Sequence, residues 1–485
     1  MAAPMNHNNK VTLAKNNLEK FKVSCGIDPE DANSPHVIRG VTETWPCISW
    51  SVSKLGELVG NKLVKFRIGL RRIRNGKVLW ESLCSYEEAK LSDFEEWCSL
   101  SQGTLSQQNP LRKYDREKFW CYADYKYMKD LFCDKQQIFE AIPWDSLGLN
   151  GYNGEQSTIW IGSSRAHTVC HQDAYGFNLV AQIQGRKKWY LFPPEQTDCL
   201  YPTRLPYEES SIFSEVNITE PDLTIHPRFQ DSTPHVIVLE PGDVLYVPRH
   251  WWHYVECLDT SISVNCWVEL ENDHLSRLHE SVTRMLVYGL LHHHPQQNDL
   301  NPDWLNPTET LTSYNTNLLY LENSLEILKQ LNGQRKAKGE ASDKWDGREA
   351  GISFKSHEPV ERKLMSADSS EEHILRDGML LDDEKQGVGQ VVKGEDMERK
   401  SSKRTRSKLS LESRKRKQCA MTVSRIPPIS VDEMLGCKYT ENGGGASKDK
   451  DREDRGIMEV LTQCVTDPRV VAMVTDLLLE KLQNR

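Results

Sequence analysis

The sequence predicts a mainly β protein with flanking helices, in which an antiparallel sandwich or barrel precedes a long charged linker. Six short runs between residues 155 and 270 are β-branched or aromatic and bounded by glycine or proline, as strands are. Turns rather than helices separate these runs, which favours antiparallel pairing over alternating β and α units. The runs are Thr158–Ile161, Asn178–Gln184, Lys188–Phe192, Val236–Leu239, Val244–Val247 and Ser261–Val268.

The composition excludes a membrane protein or a collagen-like fibre. Of the 485 residues, 38% are apolar and 27% are charged, and the net charge of -9 gives no argument for nucleic-acid binding. No stretch approaches the roughly 20 apolar residues of a membrane span, and the N-terminus lacks the apolar core of a signal peptide. The 13 cysteines include no C-x-x-C pair, which favours reduced thiols in the cytosol or nucleus.

Two helical patterns follow the predicted strands. The second runs over about 308–332, and the first places five apolar residues on one stripe: Leu275, Leu278, Val282, Met285 and Leu286. We therefore expect a domain at 31–270, with its core at about 120–270, followed by a helical extension at 271–332. The segment that precedes the domain, 1–30, is expected to be partly helical.

A charged linker is predicted after the helical extension. Only three aromatic residues follow residue 330, so this part of the chain buries too little apolar area to offset its conformational entropy. Its charges also come in blocks, because an acidic stretch at 366–398 is followed by a basic run at 399–417. These features predict a disordered linker over 333–455.

Helical order is predicted to return over 456–485. Asp467-Pro468 has the form of an N-cap followed by proline at the first helical position, and apolar residues then recur at helical spacing. The helix can dock on the main domain or on a partner. Docking on the main domain is the simpler of the two interpretations.

The segment 168–194 contains the pattern that carries chemistry. His171 and Asp173 are two positions apart, and side chains at i and i+2 of a strand share a face about 7 Å apart. Two such side chains can converge on one metal ion, and His253 is the candidate for a third ligand. Two histidines and one carboxylate on one face of an iron leave other positions open, as in non-haem Fe(II) oxygenases.

The H-x-D pattern is weak when it stands alone. A chain with 15 histidines contains such matches by chance, with His171 as an ordinary strand histidine and Asp173 as a turn residue. Here a threonine precedes His171 by three residues, G-R-K and L-F-P-P follow, and P-G-D-V-L-Y-V-P precedes W-W-H. His250 competes with His253 as a ligand, but the position within W-W-H favours His253.

These motifs together resemble the Jumonji C (JmjC) domain, the cupin-type double-stranded β-helix, or jelly roll, of Fe(II)- and 2-oxoglutarate-dependent oxygenases. The likeness covers about residues 30–290 and is greatest to the hydroxylase branch that includes the asparaginyl hydroxylase of hypoxia-inducible factor. Two further runs, FWCYADYKYM and PTRLPYEESS, resemble a group within this family that associates with small heat-shock proteins.

The resemblance implies that His171, Asp173 and His253 ligate Fe(II) and form the catalytic centre. It also implies that Lys187 pairs with the distal carboxylate of 2-oxoglutarate. A cation is needed there because an unpaired carboxylate is costly in a partly dry barrel. The alternative is that Lys187 is one of three adjacent cations on an exposed turn, as we expect of Arg186 and Lys188.

Three polar residues complete the cosubstrate pocket that the resemblance implies. Thr168 matches a hydroxyl donor to the distal carboxylate, although a solvent-facing strand threonine is the alternative. Asn178 and Asn265 match polar residues of the pocket wall in the asparaginyl hydroxylase. The segment between Asp173 and Asn178 is one residue longer here, so a bulge absorbs the extra residue or Asn178 points away.

The resemblance implies an oxidoreductase, a dioxygenase that hydroxylates a protein side chain, with a role in the stress response. RNA is another substrate class within the family, and histone demethylation is disfavoured because no cysteine-rich zinc module accompanies the domain. The alternative is a non-catalytic cupin adaptor that binds a small heat-shock protein. We expect no membrane partner, and a nucleic-acid partner is disfavoured.

We expect a cytoplasmic protein. The basic run at 399–417 can direct nuclear access, or it can be a solvated tail next to the acidic block. The helices after residue 272 either pack on the barrel or pair two copies into a homodimer.

Overall fold

Fifteen strands form two antiparallel sheets in the part of the chain that the computed structural model describes. The described residues are 18–28, 31, 33–72, 76–100, 102–133, 135–270, 272–292, 305–307, 309, 312–337, 421–436 and 457–483. The strands are β1 (His36–Arg39), β2 (Val64–Leu70), β3 (Ser85–Ala89), β4 (Phe119–Tyr127), β5 (Thr158–Gly162), β6 (His167–Asp173), β7 (Phe177–Gln184), β8 (Lys187–Phe192), β9 (Pro202–Thr203), β10 (Ser211–Ser214), β11 (His235–Leu239), β12 (Val244–Val247), β13 (Trp252–Cys257), β14 (Ser261–Val268) and β15 (Thr422–Arg425).

Helices precede the strands, lie between some of them and follow them along the sequence. The α-helices are α1 (18–25), α2 (Val52–Val59), α3 (Leu91–Ser99), α4 (Met128–Leu131), α5 (Asp273–His292), α6 (Tyr314–Ala337), α7 (Val431–Leu435), α8 (Ile457–Thr466) and α9 (Pro468–Gln483). Short 3-10 helices span Val41–Thr44, Pro46–Ser49, Glu81–Leu83, Gln102–Thr104, Pro110–Lys113, Gln136–Ala141, Trp144–Leu147, Gly154–Gln156, Pro194–Leu200 and Pro227–Asp231.

The larger sheet has nine strands in the order β15-β1-β12-β7-β14-β5-β4-β2-β3, and the smaller has six in the order β11-β8-β13-β6-β10-β9. All six strands predicted from the sequence are present, and β12 and β14 have the predicted bounds. The pairing is antiparallel, as predicted. Strand β7 is buried along almost its whole length because β12 and β14 flank it and both of its faces are covered.

The chain crosses from the small sheet to the large sheet between β6 and β7. Asp173 ends the first strand and Phe177 begins the second, so the residues between them form a corner. Gly176 in this corner has φ +62°, and a Cβ there would lie 2.5 Å from the Val268 carbonyl oxygen. The corner therefore requires glycine, and it absorbs the residues between Asp173 and the next strand.

The main hydrophobic core lies under the large sheet and is covered by the N-terminal part of the chain. Phe21 of α1 stacks on Phe177 with ring centroids 5.7 Å apart and contacts Tyr246 of β12 at 5.3 Å. The helix predicted within the N-terminal segment is therefore present and packs on the barrel. Trp97 of α3 is buried on the same side and its indole nitrogen donates to the Tyr114 carbonyl oxygen at 2.8 Å.

The C-terminal helices pack on the helical extension. Leu278 and Val282 of α5 form one buried cluster with Val471 of α9, and α8 also packs on α5. Helix α9 begins at Pro468, and the preceding carboxylate of Asp467 accepts from the Arg469 backbone nitrogen at 2.8 Å. The N-cap prediction is confirmed, and the helix docks on the helical extension of the same chain. No helix among the described residues has the length and apolar character to cross a membrane.

The predicted linker over 333–455 needs a correction. Helix α6 extends to Ala337, and residues 421–436 form β15, an extended segment and α7. The scarcity of aromatic residues was counted over 155 residues, so it did not reveal the ordered segment 421–436. The strand and helix of that segment depend on a short local pattern. Most of the remaining linker, including the basic run 399–417, lies outside the described residues.

Candidate metal centre

His171 and His253 lie directly opposite each other on the neighbouring strands β6 and β13. Asp173 follows two residues later on β6 and shares the face of His171. The Nε2 atom of His171 lies 3.6 Å from Asp173 Oδ1, and that of His253 lies 4.0 Å from Asp173 Oδ2. Since metal bonds of about 2.1 Å place two ligand atoms about 3 to 4.2 Å apart, these separations fit one ion. Within the described parts of the chain, this is the one group of three or more such side chains whose ligand atoms lie within 4.8 Å of one another.

Backbone carbonyl groups fix the orientation of both imidazole rings. The Nδ1 atom of His171 lies 2.9 Å from the Val169 carbonyl oxygen, and that of His253 lies 3.0 Å from the Trp251 carbonyl oxygen. Because a carbonyl oxygen can only accept, each Nδ1 carries the hydrogen and each Nε2 keeps its lone pair. The two lone pairs are therefore available to a metal ion on the Asp173 side.

The surroundings keep the two histidines and the carboxylate ready for a cation. Burial lowers the pKa of His171 to about 4, and the neighbouring His253 acts in the same direction, so the His171 ring is neutral at pH 7. The indole nitrogen of Trp267 donates to Asp173 Oδ2 at 2.9 Å, which fixes the carboxylate. Trp189 stacks beside His253 with ring centroids 5.8 Å apart. Such supporting contacts orient metal ligands in proteins.

A β-bulge brings Thr168 into the same cavity as His171. The strand register pairs His171 with His253 but Thr168 with Val255, so two residues of β6 oppose Tyr254 alone. Without the bulge, side chains three positions apart on a strand would point to opposite faces. Thr168 is buried in the cavity wall, so it is not the solvent-facing threonine of the alternative interpretation.

Lys187 lies at the opposite end of this cavity and is 1% exposed. Its Nζ atom donates to Ser263 Oγ at 2.7 Å and to the Tyr122 hydroxyl at 3.2 Å. The described residues give Nζ no carboxylate partner, and burial lowers the pKa of this ammonium group. A buried cation held only by hydroxyl groups fits an anion that enters the cavity, as the distal carboxylate of 2-oxoglutarate would.

The turn before Lys187 explains why Arg186 is exposed while Lys187 is buried. Gly185 has φ +62°, and a Cβ there would lie 2.2 Å from the Thr260 carbonyl oxygen, so only glycine permits this turn. Arg186 stays at the surface and pairs with Asp259 at 2.7 Å. Lys188 points to the opposite face of the strand, where its ammonium lies 4.7 Å from the Tyr190 ring.

Asn178 and Asn265 form one hydrogen-bonded pair in the cavity wall. Asn265 Nδ2 donates to Asn178 Oδ1 at 2.9 Å, and Trp160 Nε1 donates to Asn265 Oδ1 at 2.7 Å. Asn178 therefore faces the cavity rather than pointing away, because the corner at Gly176 absorbs the extra length before β7. The two amides fix each other's orientation.

Several residues of the site received no role from the sequence, among them Tyr122, Ser263 and Trp267. Ser263 and Trp267 flank Asn265 at two-residue spacing on β14, so strand alternation was the available signal for both. Tyr122 lies in the run FWCYADYKYM, but its contact with Lys187 crosses 65 positions of sequence. No local pattern identifies a pairing of that kind.

The other candidates near His253 have structural roles. The Nε2 atom of His250 lies 3.2 Å from the Ala174 carbonyl oxygen, so this ring is committed outside the metal group. Trp251 and Trp252 are both buried, and their indole nitrogens donate to the Asn33 carbonyl oxygen at 2.9 Å and to Thr197 Oγ1 at 3.0 Å. Both tryptophans are therefore core residues.

The comparison with known families identifies the class of protein. A family model with the description "Cupin-like domain" matches residues 30–274, which make up half of the chain. The chain therefore belongs to the cupin-like family, and its two sheets and its His-Asp-His group are those of a JmjC-type member.

Individual relatives narrow this assignment. The chain is 49% identical over 298 residues to HSPB1-associated protein 1 of Rattus norvegicus and 47% identical over 289 residues to HSPB1-associated protein 1 of Homo sapiens. These matches cover 60% and 59% of this chain and 60% and 58% of the relatives, so they span about three fifths of each protein. A more distant relative, lysine-specific demethylase 8 of Xenopus tropicalis, is 30% identical over 247 residues, which cover 48% of this chain and 47% of that protein.

Proposed function

We propose that this protein is an Fe(II)- and 2-oxoglutarate-dependent oxygenase. The observation that carries the proposal is one cavity that is lined both by the two histidines of the metal-ligand group and by the buried Lys187. A vestigial cupin would not need to keep a buried ammonium that lacks an anionic partner, because burying such a group is unfavourable. The buried ammonium therefore supports the proposal of a cosubstrate site in this cavity.

His171, Asp173 and His253 would hold the iron, with two neutral imidazoles and one carboxylate as ligands. The carbonyl groups behind both histidines hold Nδ1 as the hydrogen-bond donor, so Nε2 is the atom of each ring that would bind the metal. Three protein ligands on one face leave the opposite face for the cosubstrate and dioxygen. When bound, iron and 2-oxoglutarate supply the oxidising chemistry that the side chains themselves lack.

Lys187 would hold the distal carboxylate of 2-oxoglutarate, together with hydroxyl groups that already surround its Nζ atom. Ser263 and Tyr122 orient the ammonium, and burial keeps the Tyr122 hydroxyl protonated because it raises the pKa of that group well above its usual range. Thr168 adds a further hydroxyl to this end of the cavity. The Asn178–Asn265 pair lines the wall between the two ends.

Aromatic side chains exclude water from the space between Lys187 and the metal group. Trp160, Trp189 and Trp267 line the cavity, and Tyr125 lies against Trp160 with ring centroids 4.6 Å apart. A dry wall strengthens the attraction between Lys187 and a carboxylate, and it protects reactive species from side reactions with solvent. The tryptophans thus serve both binding and chemistry.

Hydroxylation of a protein side chain is the reaction that we propose. The hydroxylase branch of the family supports it, and so does the absence of any C-x-x-C pair that a zinc reader module would use. The more distant relatives carry the name lysine-specific demethylase, so a demethylating activity on a protein substrate is the direct competitor. Release of formaldehyde along with succinate would distinguish demethylation from hydroxylation.

The test of the proposal is succinate release by the purified full-length protein with Fe(II), ascorbate and 2-oxoglutarate. We expect release that depends on iron and is abolished by Asp173→Ala, because the metal group loses its one charged ligand. Asp198→Ala, a change of an exposed carboxylate on the same molecule, is the matched control and should leave release unchanged. Bound iron without succinate under every candidate peptide would contradict the proposal.

We also propose an association with a small heat-shock protein and a role in the stress response. The names of the most similar relatives, HSPB1-associated protein 1, support this partner. The two functions are separable by one variant. Binding of a purified small heat-shock protein that is equal for wild type and Asp173→Ala, together with loss of succinate release in the variant, would show that the partner does not need the metal group.

The cellular location stays a prediction. We propose a cytoplasmic protein whose basic run at 399–417 gives access to the nucleus. Deletion of 399–417 should then abolish nuclear signal in fluorescence imaging of the full chain, and an unchanged distribution would contradict this role.

A further inference from the structure

A separate segment of the chain, residues 421–436, packs against β1 and the residues before β11, and we name it the strap. Its strand β15 pairs with β1 over four residues and becomes the edge of the large sheet. An extended piece then follows β11, where the Ile429 backbone nitrogen donates to the Pro234 carbonyl oxygen at 2.8 Å. Helix α7 closes the strap, with the Ser430 side chain as its N-cap.

The strap has two buried anchors, and they belong to the clusters that contain the two tryptophans before His253. Ile426 is 2% exposed and joins the cluster that holds Trp251 together with the cavity residue Trp189. Val431 and Met434 of α7 join the cluster that holds Trp252. The strap therefore supports the W-W-H motif from both of its flanks.

A chain of direct contacts leads from the strap to the metal-ligand group. His235 Nδ1 donates to the Ile426 carbonyl oxygen at 2.7 Å, and the His235 ring meets the Trp251 ring edge-on with centroids 5.0 Å apart. The Trp251 carbonyl oxygen accepts from His253 Nδ1 at 3.0 Å. A shift of Trp251 would thus move the acceptor that sets the orientation of the His253 ring.

We propose that Ile426 is a positioning residue for the metal centre and that the strap is a removable part of it. The inference rests on the proposed function through the metal role of His253. The strap joins the barrel over large sequence separations, since Ile426 and His235 are 191 positions apart. Closing so long a loop is entropically unfavourable and only two short elements hold the strap, so its release is a local opening distinct from global unfolding.

Coupling of this kind acts in both directions. If the seated strap raises the affinity of the metal group, then a bound metal ion must stabilise the seated strap by the same factor. If a partner captured the strap, metal occupancy would fall, although the strap lies far along the sequence from the metal ligands and the partner would not enter the cavity. The prediction concerns equilibrium binding and needs no turnover.

Amide hydrogen exchange on the full-length wild-type protein tests the coupling directly. We expect saturating Mn(II) to slow exchange of the strap amides by about fivefold or more, the usual lower range of coupling between sites. The amides bonded in the β15–β1 ladder and that of Ile429 are the reporters. Helix α9 is the internal control, because it packs on α5 and should exchange at the same rate with and without the ion. Equal exchange of the strap in both states would overturn the proposal.

Point variants of the strap give the reverse measurement. Ile426→Ala should weaken Co(II) binding by about fivefold or more and change the absorption spectrum of bound Co(II), whereas Ile426→Val should restore both. Ser424→Ala, a change of an exposed residue on β15, is the matched control and should bind as wild type. Wild-type affinity and spectrum in a folded Ile426→Ala variant would overturn the proposal. If wild type itself bound no Co(II) or Mn(II), the proposed function would fail first.

Discussion

Two cations are buried in the same barrel, and they have opposite surroundings. Arg67 on β2 and Lys187 on β8 both lie near the Tyr122 ring, at 5.9 and 5.3 Å from its centroid. Arg67 pairs with Asp124 at 2.7 Å and with Glu81 at 3.1 Å. Among the described residues, the hydrogen-bond partners of Lys187 Nζ are two hydroxyl groups. Burial alone does not separate a structural cation from a functional one, whereas the presence of an internal counter-charge does.

The pKa values of Arg67 and Lys187 are shifted in opposite directions, which agrees with the difference in their surroundings. Burial acts to lower the pKa of Arg67, but Glu81 and Asp124 together raise it well above its usual value. Burial lowers the pKa of Lys187, and its neighbours do not compensate. The chain thus supplies the counter-charges of Arg67 itself, whereas the partner that we propose for Lys187 is the carboxylate of a bound cosubstrate.

The largest effect is expected for Arg67→Met. The change removes the buried cation that pairs with both Glu81 and Asp124 and leaves Asp124 only the more distant Lys126 at 4.0 Å. Breaking a buried ion pair in this way typically costs about 3–5 kcal/mol of stability. Chemical denaturation should show this loss. Arg186→Met, which removes an exposed pair with Asp259, is the control and should change stability by less than about 1 kcal/mol. If Arg67→Met were as stable as wild type, the contrast between a structurally paired Arg67 and an unpaired Lys187 would be wrong.

Lys187→Met should affect binding instead of stability. The variant loses a charged hydrogen-bond donor to 2-oxoglutarate, worth about 1.5–3 kcal/mol, so affinity should fall roughly 10- to 150-fold in calorimetric titrations of the Mn(II)-loaded protein. The free energy of unfolding should stay level or rise, because an unpaired buried charge is removed. Lys188→Met on the opposite strand face serves as the control. Unchanged affinity in Lys187→Met would contradict the role of this residue.

A pH series separates the two cations further. Because burial places the folded-state pKa of Lys187 below 10.5, the folded protein binds fewer protons than the unfolded chain between that lowered value and 10.5. Stability from this group therefore rises with pH across the window and is lost again as pH falls. The affinity for 2-oxoglutarate should fall across the same window, because the ammonium form is needed. Lys187→Met should remove the pH dependence of both stability and affinity across this window. If either persisted in the variant, another titrating group would be its cause.

Ser263→Ala and Tyr122→Phe should have the smallest effects. Each removes one hydroxyl that accepts from Lys187 Nζ, and one hydrogen bond of this kind contributes about 1 kcal/mol, so affinity for 2-oxoglutarate should fall about fivefold in each variant. The same titrations measure it. Tighter binding in either variant would mean that these hydroxyls compete with the cosubstrate instead of orienting the ammonium.

The sequence predicted the parts of this site that depend on local periodicity. The spacing of His171 and Asp173 on a strand and the position of His253 within W-W-H indicated the metal group once the surrounding motifs were taken together with them. The bounds of β12 and β14 followed from apolar runs between turn residues. Such features need only the two-residue alternation of a strand and the residues that end it.

Long-range partners and deviations from regular strands were beyond sequence reasoning. The contacts of Lys187 with Tyr122 and Ser263 cross 65 and 76 positions, and nothing local marks them. Thr168 reaches the cavity through a bulge that reverses the alternation expected for a threonine three residues before His171. Ile426 was not predicted because the average composition of 333–455 indicated a linker. The strand and the N-cap pattern on either side of Ile426 span only a few residues each.

Anomalous diffraction at the manganese edge is the most direct test of the central claim. Crystals of the full-length protein with Mn(II) and a 2-oxoglutarate analogue should show one ion bonded to Nε2 of His171, Nε2 of His253 and an oxygen of Asp173. The distal carboxylate of the analogue should lie against Lys187 Nζ. Manganese bound elsewhere, or an analogue whose carboxylate avoids Lys187 while the cavity is otherwise intact, would contradict the account.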